Sequence, residues 1–317
     1  MERKDITNKL KARFCKDCNL AINIYEEPYF TDRLKLYDKQ FGTLEKWEVF
    51  CKELEKYENE QEYLSEYNKV KDLAINAVKS TRAWEHFNLE DMNKFGTQDL
   101  KFPTNNIYKD TNIGKKFLSI DMKHANFSAL KHYSDEIFKC GDKECKDWKE
   151  FISQFTDSEH IVNSKYIRQV VLGNCNPKRT ITYEKHIIAS LIRAMLGMDV
   201  AKNIVSFASD EVIMDIADMS DVQLNNEIEV VKELIDTLGV PLKVEVFTLH
   251  RIEGTDGFIK KYSMGKEGID IKCLNSLYMP FVLRELNGEA ITESDRTFIY
   301  EGMLSRVVEN PEIKIAM

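Results

Sequence analysis

The sequence predicts an α+β protein, with a helical N-terminal region followed by an antiparallel sheet backed by helices. In roughly the first hundred residues, apolar side chains recur at helical spacing. The later part contains short apolar runs bounded by turn residues, and these runs alternate with amphipathic helices. Such an order favours a small antiparallel sheet with helices packed against it. The composition shifts near residues 102–106, so we expect three segments, 1–105, 106–265 and 266–317.

The composition is that of a globular protein with its own core. The chain has 317 residues, of which 43% are hydrophobic and 31% charged. No apolar run approaches the length of a membrane span, and the first residues lack the apolar core of a signal peptide. We therefore expect no membrane partner and a cytoplasmic location. The net charge of −8 argues against a surface that coats nucleic acid everywhere, but it permits a local basic groove.

The N-terminal elements are predicted from periodicity and capping signals. Residues 43–57 and 63–78 each carry a helical apolar stripe. Asn88, the acidic residues after Leu89 and the later Gly96 predict a short third helix, because they supply a cap, an acidic first turn and a C-terminal glycine.

The remaining elements follow from buried runs, caps and glycines. A capping box at Thr156–Glu159 opens one helix, and Gly173 ends it. The sequence Gly-Thr-Asp-Gly at 254–257 predicts a tight turn between two strands. In order, we predict strand 117–122, helix 156–172, polar loop 174–180, helix 183–196, an acidic hairpin within 204–214, helix 222–238, strands 243–252 and 258–262, and a last helix from 292 or 293 to 308.

Two of the predicted strands carry acidic residues. Asp121 lies in the first run, and Asp210 with Glu211 lies in the predicted hairpin. A carboxylate in a buried strand is costly unless something compensates its charge. Carboxylates from two strands are typical ligands of hard divalent cations, so these three residues are candidate Mg²⁺ or Mn²⁺ ligands. The alternative for each is a turn or cap acid, because Ser-Asp is also good turn chemistry.

The order of these features resembles the palm and fingers of right-hand nucleic-acid polymerases, a group that includes reverse transcriptases, viral RNA polymerases and several DNA polymerase families. The resemblance covers about residues 115–265. Residues 119–128 resemble the first palm motif, 207–211 the third, and the loop and helix from Gly173 the element between them. It implies a palm-and-fingers catalytic core at 106–265 and a thumb-like helical segment at 266–317. Asp210-Glu211 replaces the commoner Asp-Asp, and no Tyr precedes it, so the subfamily is not identified.

The resemblance implies template-directed nucleotidyl transfer by a small DNA or RNA polymerase that uses two metal ions. Its partners would be nucleoside triphosphates and a nucleic-acid primer–template. Asp121, Asp210 and Glu211 would hold the metals. The remaining candidate residues are Arg168, Lys178 and Arg179 for the triphosphate, Asn126 and Phe127 for the 2′ position of the sugar, and Lys260 with Tyr262 for the primer–template. Structural roles are the alternatives: a turn residue for Asn126, a core residue for Phe127 and an exposed edge lysine for Lys260.

The cysteines allow a further site. The pairs Cys15–Cys18 and Cys140–Cys145 together have four thiols, which suffices for a structural zinc ion. Reduced cysteines without metal are the simpler interpretation of an odd total of seven. Two alternative functions also remain open. One is a two-metal nuclease that uses the same acids, and the other is a non-enzymatic, acidic helical protein that binds a partner.

Overall fold

The computed structural model describes residues 6–104, 106–141 and 143–317. It confirms the predicted α+β class. An N-terminal helical region precedes a seven-stranded sheet in which every strand pair is antiparallel, and helices pack behind the sheet.

Five helices form the N-terminal region, and two of them match the predicted stripes. They are α1 (Asn8–Asp17), α2 (Tyr29–Phe41), α3 (Thr43–Leu54), α4 (Glu60–Lys79) and α5 (Arg82–Leu89). The predicted short helix from Asn88 to Gly96 is wrong. Asn88 lies inside α5, and the rest of the predicted span contains a 3₁₀ turn, Met92–Phe95, whose N-cap is Asp91.

The rest of the chain alternates strands and helices. The helices are α6 (Ala125–Tyr133), α7 (Trp148–Ile152), α8 (Glu159–Asn163), α9 (Lys165–Gly173), α10 (Pro177–Met195), α11 (Asp199–Lys202), α12 (Asp221–Leu238), α13 (Met279–Asn287) and α14 (Glu293–Arg296). The strands are β1 (Lys116–Met122), β2 (Lys139–Cys140), β3 (Lys143–Glu144), β4 (Ile204–Phe207), β5 (Glu211–Asp215), β6 (Leu242–Glu253), β7 (Phe258–Met264), β8 (Ile269–Lys272), β9 (Thr297–Tyr300), β10 (Met303–Arg306) and β11 (Lys314–Ile315).

Two helices between β1 and β4 differ from the prediction. The helix predicted for 156–172 is divided into α8 and α9, because Ser164 is extended and its hydroxyl accepts from the amide of Ile167 as the cap of α9. Helix α10 begins at Pro177 rather than near residue 183. Proline suits the first helical position, where its missing N–H costs nothing. Lys178 and Arg179 therefore lie on the first turn of a helix and not in a loop.

The C-terminal segment is mixed rather than helical. The helix predicted for 292–308 is wrong beyond its first turn, because α14 ends at Arg296 and the hairpin β9–β10 follows. The run Thr297–Tyr300 is rich in β-branched and aromatic side chains, which favours a strand. Glu301 and Gly302 both have positive φ, 49° and 79°, as a two-residue hairpin turn requires. The segment also contributes β8 and β11 to the main sheet.

The strand order is β4-β5-β1-β6-β7-β8, and β11 also pairs with β6. Strand β1 lies between the acidic hairpin and the long strand β6. In this register Asp121 lies opposite Glu211 on one side and Lys243 on the other.

The two faces of the sheet have different surroundings. Leu118 and Ile120 of β1 point into the main hydrophobic core with the helices. Phe117, Ser119 and Asp121 point to the opposite side, which we call the site face. Part of the site face is covered by a smaller apolar cluster, which contains Ile107, Phe117, Ile213, Phe247, Leu249 and Phe258.

The N-terminal helices contact the segment between β1 and β4. Asp17 at the end of α1 is 1% exposed. It accepts hydrogen bonds from the hydroxyls of Tyr67 (2.7 Å) and Ser164 (2.8 Å), and its Oδ2 lies 3.0 Å from His160 Nε2. A buried carboxylate thereby links α1 and α4 to α8 and α9.

The same helices also contact the C-terminal segment. Arg33 of α2 is 4% exposed and lies 3.1 Å from the Asp295 carboxylate. Its guanidinium also donates to the carbonyl oxygens of Ser294 (2.8 Å) and Thr297 (3.1 Å). Gln40 donates to the carbonyl of Ile269 in β8 at 3.0 Å. The N-terminal region thus joins both later parts of the chain.

Candidate functional site

The acidic residues converge at one end of two neighbouring strands. Asp121 is near the end of β1, and Glu211, at the start of β5, lies directly opposite it. The amide of Met122 donates to the carbonyl of Asp210 at 2.9 Å, so the hairpin tip is fixed against the end of β1. The sequence prediction that these three acids share one place in the fold agrees with this register. A direct carboxylate contact between Asp121 and Asp210 stays a prediction.

The charges around Asp121 indicate an acidic cluster with a built-in cation. Burial raises the pKa of Asp121, the Lys243 ammonium opposes that rise, and the carboxylates of Glu211 and Asp210 add to it. Lys243 Nζ lies 3.3 Å from Asp121 Oδ2. The site therefore already compensates part of its negative charge.

Glu211 has two donors of its own. The hydroxyl of Ser119 donates to Glu211 Oε1 at 2.7 Å, and Lys260 Nζ lies 3.3 Å from the same oxygen. One oxygen of Glu211 is thus occupied by protein groups. Asp121 also has one oxygen paired with a lysine, whereas Asp210 has no lysine partner among the described residues, so Asp210 is the acid best placed to offer oxygens to an added cation.

Two aspartates suit a magnesium ion that takes its other ligands from elsewhere. Mg²⁺ is usually held by one or two carboxylates, several waters and substrate phosphates rather than by an all-protein cage. The described residues contain no group of three or more His, Cys, Asp and Glu side chains that could hold a metal ion, so a metal at these acids stays a prediction.

Lys260 is enclosed rather than exposed. It is 4% exposed, and its ammonium lies 4.3 Å from the centroid of the Phe247 ring. A buried ammonium requires a partner of opposite charge, and Glu211 supplies it. Strand β7 pairs with β6 on one side and with β8 on the other, so Lys260 is not an exposed lysine on an edge strand. The predicted contact of Lys260 with a primer–template stays a prediction, and it would require the lysine to leave this pair.

Tyr262, the other residue predicted to contact nucleic acid, lies on the site face. Its hydroxyl donates to Asp270 of β8 at 2.9 Å. Its ring is partly buried against the smaller apolar cluster. A contact between this ring and nucleic acid stays a prediction.

A buried glutamate that the sequence analysis did not select lies beside the acids. Glu184 of α10 is 2% exposed, and its carboxylate accepts a hydrogen bond from the Asn126 amide at 2.7 Å. Burial raises the pKa of Glu184 to about 7, and the nearby Asp210 carboxylate adds to the rise. The link ties the first turn of α6 to the middle of α10.

The two residues predicted to test the sugar differ in environment. Phe127 is 3% exposed and packs on Phe138, with ring centroids 4.3 Å apart. Asn126 is only half-buried and is held by Glu184. Phe127 is therefore a core residue here, whereas Asn126 is the member of the pair next to the acidic cluster.

The three basic residues predicted to bind the triphosphate lie in different surroundings. Lys178 is exposed on the first turn of α10. Arg179 donates to the carbonyl oxygens of Phe87 (3.1 Å) and Glu90, so it binds the end of α5. Arg168 of α9 is half-buried. Burial is the main cause that lowers the pKa of His124, and the charges of Arg168 and Lys243 lower it further. The charge of Arg168 thus acts on His124, which follows the end of β1.

Burial favours the protonated form of the two cysteines in the first proposed zinc pair. Burial raises the pKa of Cys15 and raises that of Cys18 to about 12. Cys145 is buried and accepts a hydrogen bond from the Gln154 amide, whereas the side chain of Cys140 lies outside the described residues. A zinc ion at these cysteines stays a prediction.

Sequence reasoning missed Lys243, Ser119 and Glu184 as parts of the site. Glu184 had a usable signal, because it falls on the buried stripe of α10 between Thr180 and Ile188. A charged residue on an apolar helical stripe needs a partner. Lys243 and Ser119 had no comparable signal, since their contacts depend on the register between strands.

Comparison with known proteins adds no family assignment: no family model, curated protein sequence or solved structure matches the chain. In the described part of the chain, no helix combines the length and apolarity needed to cross a membrane.

Proposed function

We propose that the chain is a template-directed nucleotidyltransferase, a small DNA or RNA polymerase. The observation that carries the proposal is the convergence of Asp121, Asp210 and Glu211 at one end of β1 and β5. These strands lie in an antiparallel sheet backed by helices, which agrees with the palm-like order of the sequence features.

In this proposal, Asp121 and Asp210 bind Mg²⁺ or Mn²⁺ together with the phosphates of a nucleoside triphosphate. The bound metal supplies charge stabilisation at the phosphorus centre and activation of the attacking hydroxyl. Lys260 and Ser119 hold Glu211 in place, and Glu184 fixes the amide of Asn126 near the sugar of the incoming nucleotide.

The test supplies the purified protein with primer–template, nucleotides and Mg²⁺ or Mn²⁺, and follows primer length. We expect the primer to lengthen, and we expect Asp121→Asn and Asp210→Asn each to abolish lengthening, because each removes a metal-binding charge and changes little volume. Asp218→Asn is the matched control, since Asp218 is exposed beyond β5.

Three outcomes are informative. Lengthening in D121N or D210N contradicts the assignment of these acids. A primer that shortens, with the same dependence on both aspartates, indicates the two-metal nuclease instead. No change in primer length under any condition removes both enzymatic proposals and favours a non-enzymatic binding protein.

A further inference from the structure

A cavity of about 560 Å³ adjoins the acidic cluster without being part of it. It lies between the start of α6, the loop before α7 and the loop that joins α12 to β6. Four lysines and two histidines line it, and we call it the basic cavity: Lys123, His124, Lys131, His132, Lys146 and Lys243. Burial lowers the pKa of both histidines, so the lysines carry its positive charge near neutral pH. Lys243 connects it to the candidate site, because the same ammonium lies 3.3 Å from Asp121.

The positive charge of the basic cavity is only partly balanced. Two acids lie in its wall: Asp135 pairs with Lys131, and Asp147 accepts the amide of Glu150 at 2.9 Å as the cap of α7 and keeps its negative charge. Within the described residues, Lys123 and Lys146 form no ion pair. Their ammonium groups are therefore available to an anion.

Other features of the cavity agree with an anionic ligand. Phe127 and Leu238 supply apolar wall, which limits screening by water and strengthens charge-assisted hydrogen bonds. After burial, the charges of Arg168, Lys243 and Lys149 lower the pKa of His124 and that of Asp147 raises it, so three cations and one acid act on this wall.

Nucleotidyl transfer releases inorganic diphosphate, an anion whose charge is complementary to the lysines of the basic cavity. The attacking hydroxyl oxygen forms a bond to the α-phosphorus, and its proton passes to water. The bond from phosphorus to the bridging oxygen breaks, and its electron pair leaves with the diphosphate in line with the attack. We propose that the basic cavity binds this inorganic diphosphate, and Lys123 and Lys146 are its principal contacts. The inference rests on the proposed function, and the β and γ phosphates of an intact triphosphate share the same chemistry.

The experiment measures binding of inorganic pyrophosphate to the full chain by calorimetry, without nucleic acid. The test variant is Lys123→Ala with Lys146→Ala, and the control is Lys52→Ala with Lys69→Ala, two exposed lysines of α3 and α4. We expect the dissociation constant to rise about tenfold or more in the test variant and to stay unchanged in the control. Competition by a nucleoside triphosphate, compared with the monophosphate, shows whether the β and γ phosphates enter the same cavity.

The outcomes separate this proposal from the previous one. Equal pyrophosphate affinity in both double variants overturns the cavity proposal, even if primers lengthen. If primers do not lengthen but pyrophosphate affinity depends on Lys123 and Lys146, the cavity is a diphosphate site and the polymerase proposal fails. If primers lengthen and the test variant also loses inhibition by pyrophosphate, both proposals gain support.

Discussion

At the scale of single residues, lysines compensate two of the three acids at the candidate site. Lys243 pairs with Asp121, and Lys260 pairs with Glu211. Asp210 accepts a hydrogen bond from the Ser209 hydroxyl at 3.3 Å, and within the described residues it has no lysine or arginine partner. Asp210 is therefore the acid with the greatest need of an added cation.

Glu184 gives a pH-dependent prediction. Its pKa is raised in the folded chain to about 7, so the folded state holds this proton more tightly than the unfolded state. The resulting stability is fully present below the ordinary pKa of a glutamate and is lost as the pH rises through 7. Glu184→Gln keeps an acceptor for Asn126 without the charge. We expect it to match the parent near pH 4 and to exceed its free energy of unfolding by on the order of 3 kcal/mol at pH 8.

The measurement is urea unfolding of both proteins across that pH range. The control is Glu229→Gln, because Glu229 is 70% exposed on α12. Parallel pH profiles for the parent and E184Q would contradict a buried glutamate with a raised pKa.

At the scale of elements, Arg179 fastens the end of α5 to the start of α10. Its two hydrogen bonds to carbonyl oxygens predict a stabilising role, and bonds from a charged donor typically contribute about 1.5–3 kcal/mol. We expect Arg179→Ala to lower the free energy of unfolding by about that amount. Arg179→Lys should recover little, because an ammonium does not reproduce the two-point contact.

Nucleotide kinetics decide between this role and the predicted triphosphate contact. Lys178→Ala is the neighbouring control, since Lys178 is exposed on the same turn. A stability loss in R179A with an unchanged KM for nucleotide indicates the structural role. A raised KM for nucleotide at unchanged stability would instead support the predicted contact of Arg179 with the triphosphate.

Sequence patterns specify the order of these elements but not all of their ends. The order of strand, helices, acidic hairpin and second hairpin was predictable, because short buried runs containing acid are uncommon and their turns are well marked. The start of α10 was not predictable, since an Asn-Pro pair such as Asn176-Pro177 is typical both of loops and of helix N-termini. The capping box of α14 is real, yet the strand preference of Thr297–Tyr300 ends that helix after one turn. The sequence sufficed to select Asp121 and Glu211 as candidate residues, whereas the contact of Lys243 depends on which strand pairs with β1, and no local pattern specifies that choice.

At the scale of the whole molecule, the buried contacts of Arg33 join the N-terminal region to the C-terminal segment. Removing one member of a buried ion pair typically costs about 3–5 kcal/mol, because it leaves polar groups without partners. We expect Arg33→Met to lower the free energy of unfolding by about 3 kcal/mol, since Arg284 still pairs with Asp295 at 2.9 Å.

Arg306→Met is the matched control, because Arg306 and its partner Glu293 are both about 60% exposed. An exposed pair contributes less than about 1 kcal/mol. Thermal or urea unfolding distinguishes the two variants. Equal losses would show that the α2 contact does not couple the N-terminal and C-terminal parts of the chain.

The lysine partners of Asp121 and Glu211 bear on whether folding of the chain requires a metal ion. A site whose acids repel one another would need its ion during folding, and the ion would then be a structural part of the protein. Here Lys243 and Lys260 supply counter-charges to Asp121 and Glu211, so these two acids do not need an ion for the fold to form. In the proposed function, the metal would then be an exchangeable reagent that enters with the substrate and leaves with the product, and its supply would set the rate of the reaction and not the amount of folded protein.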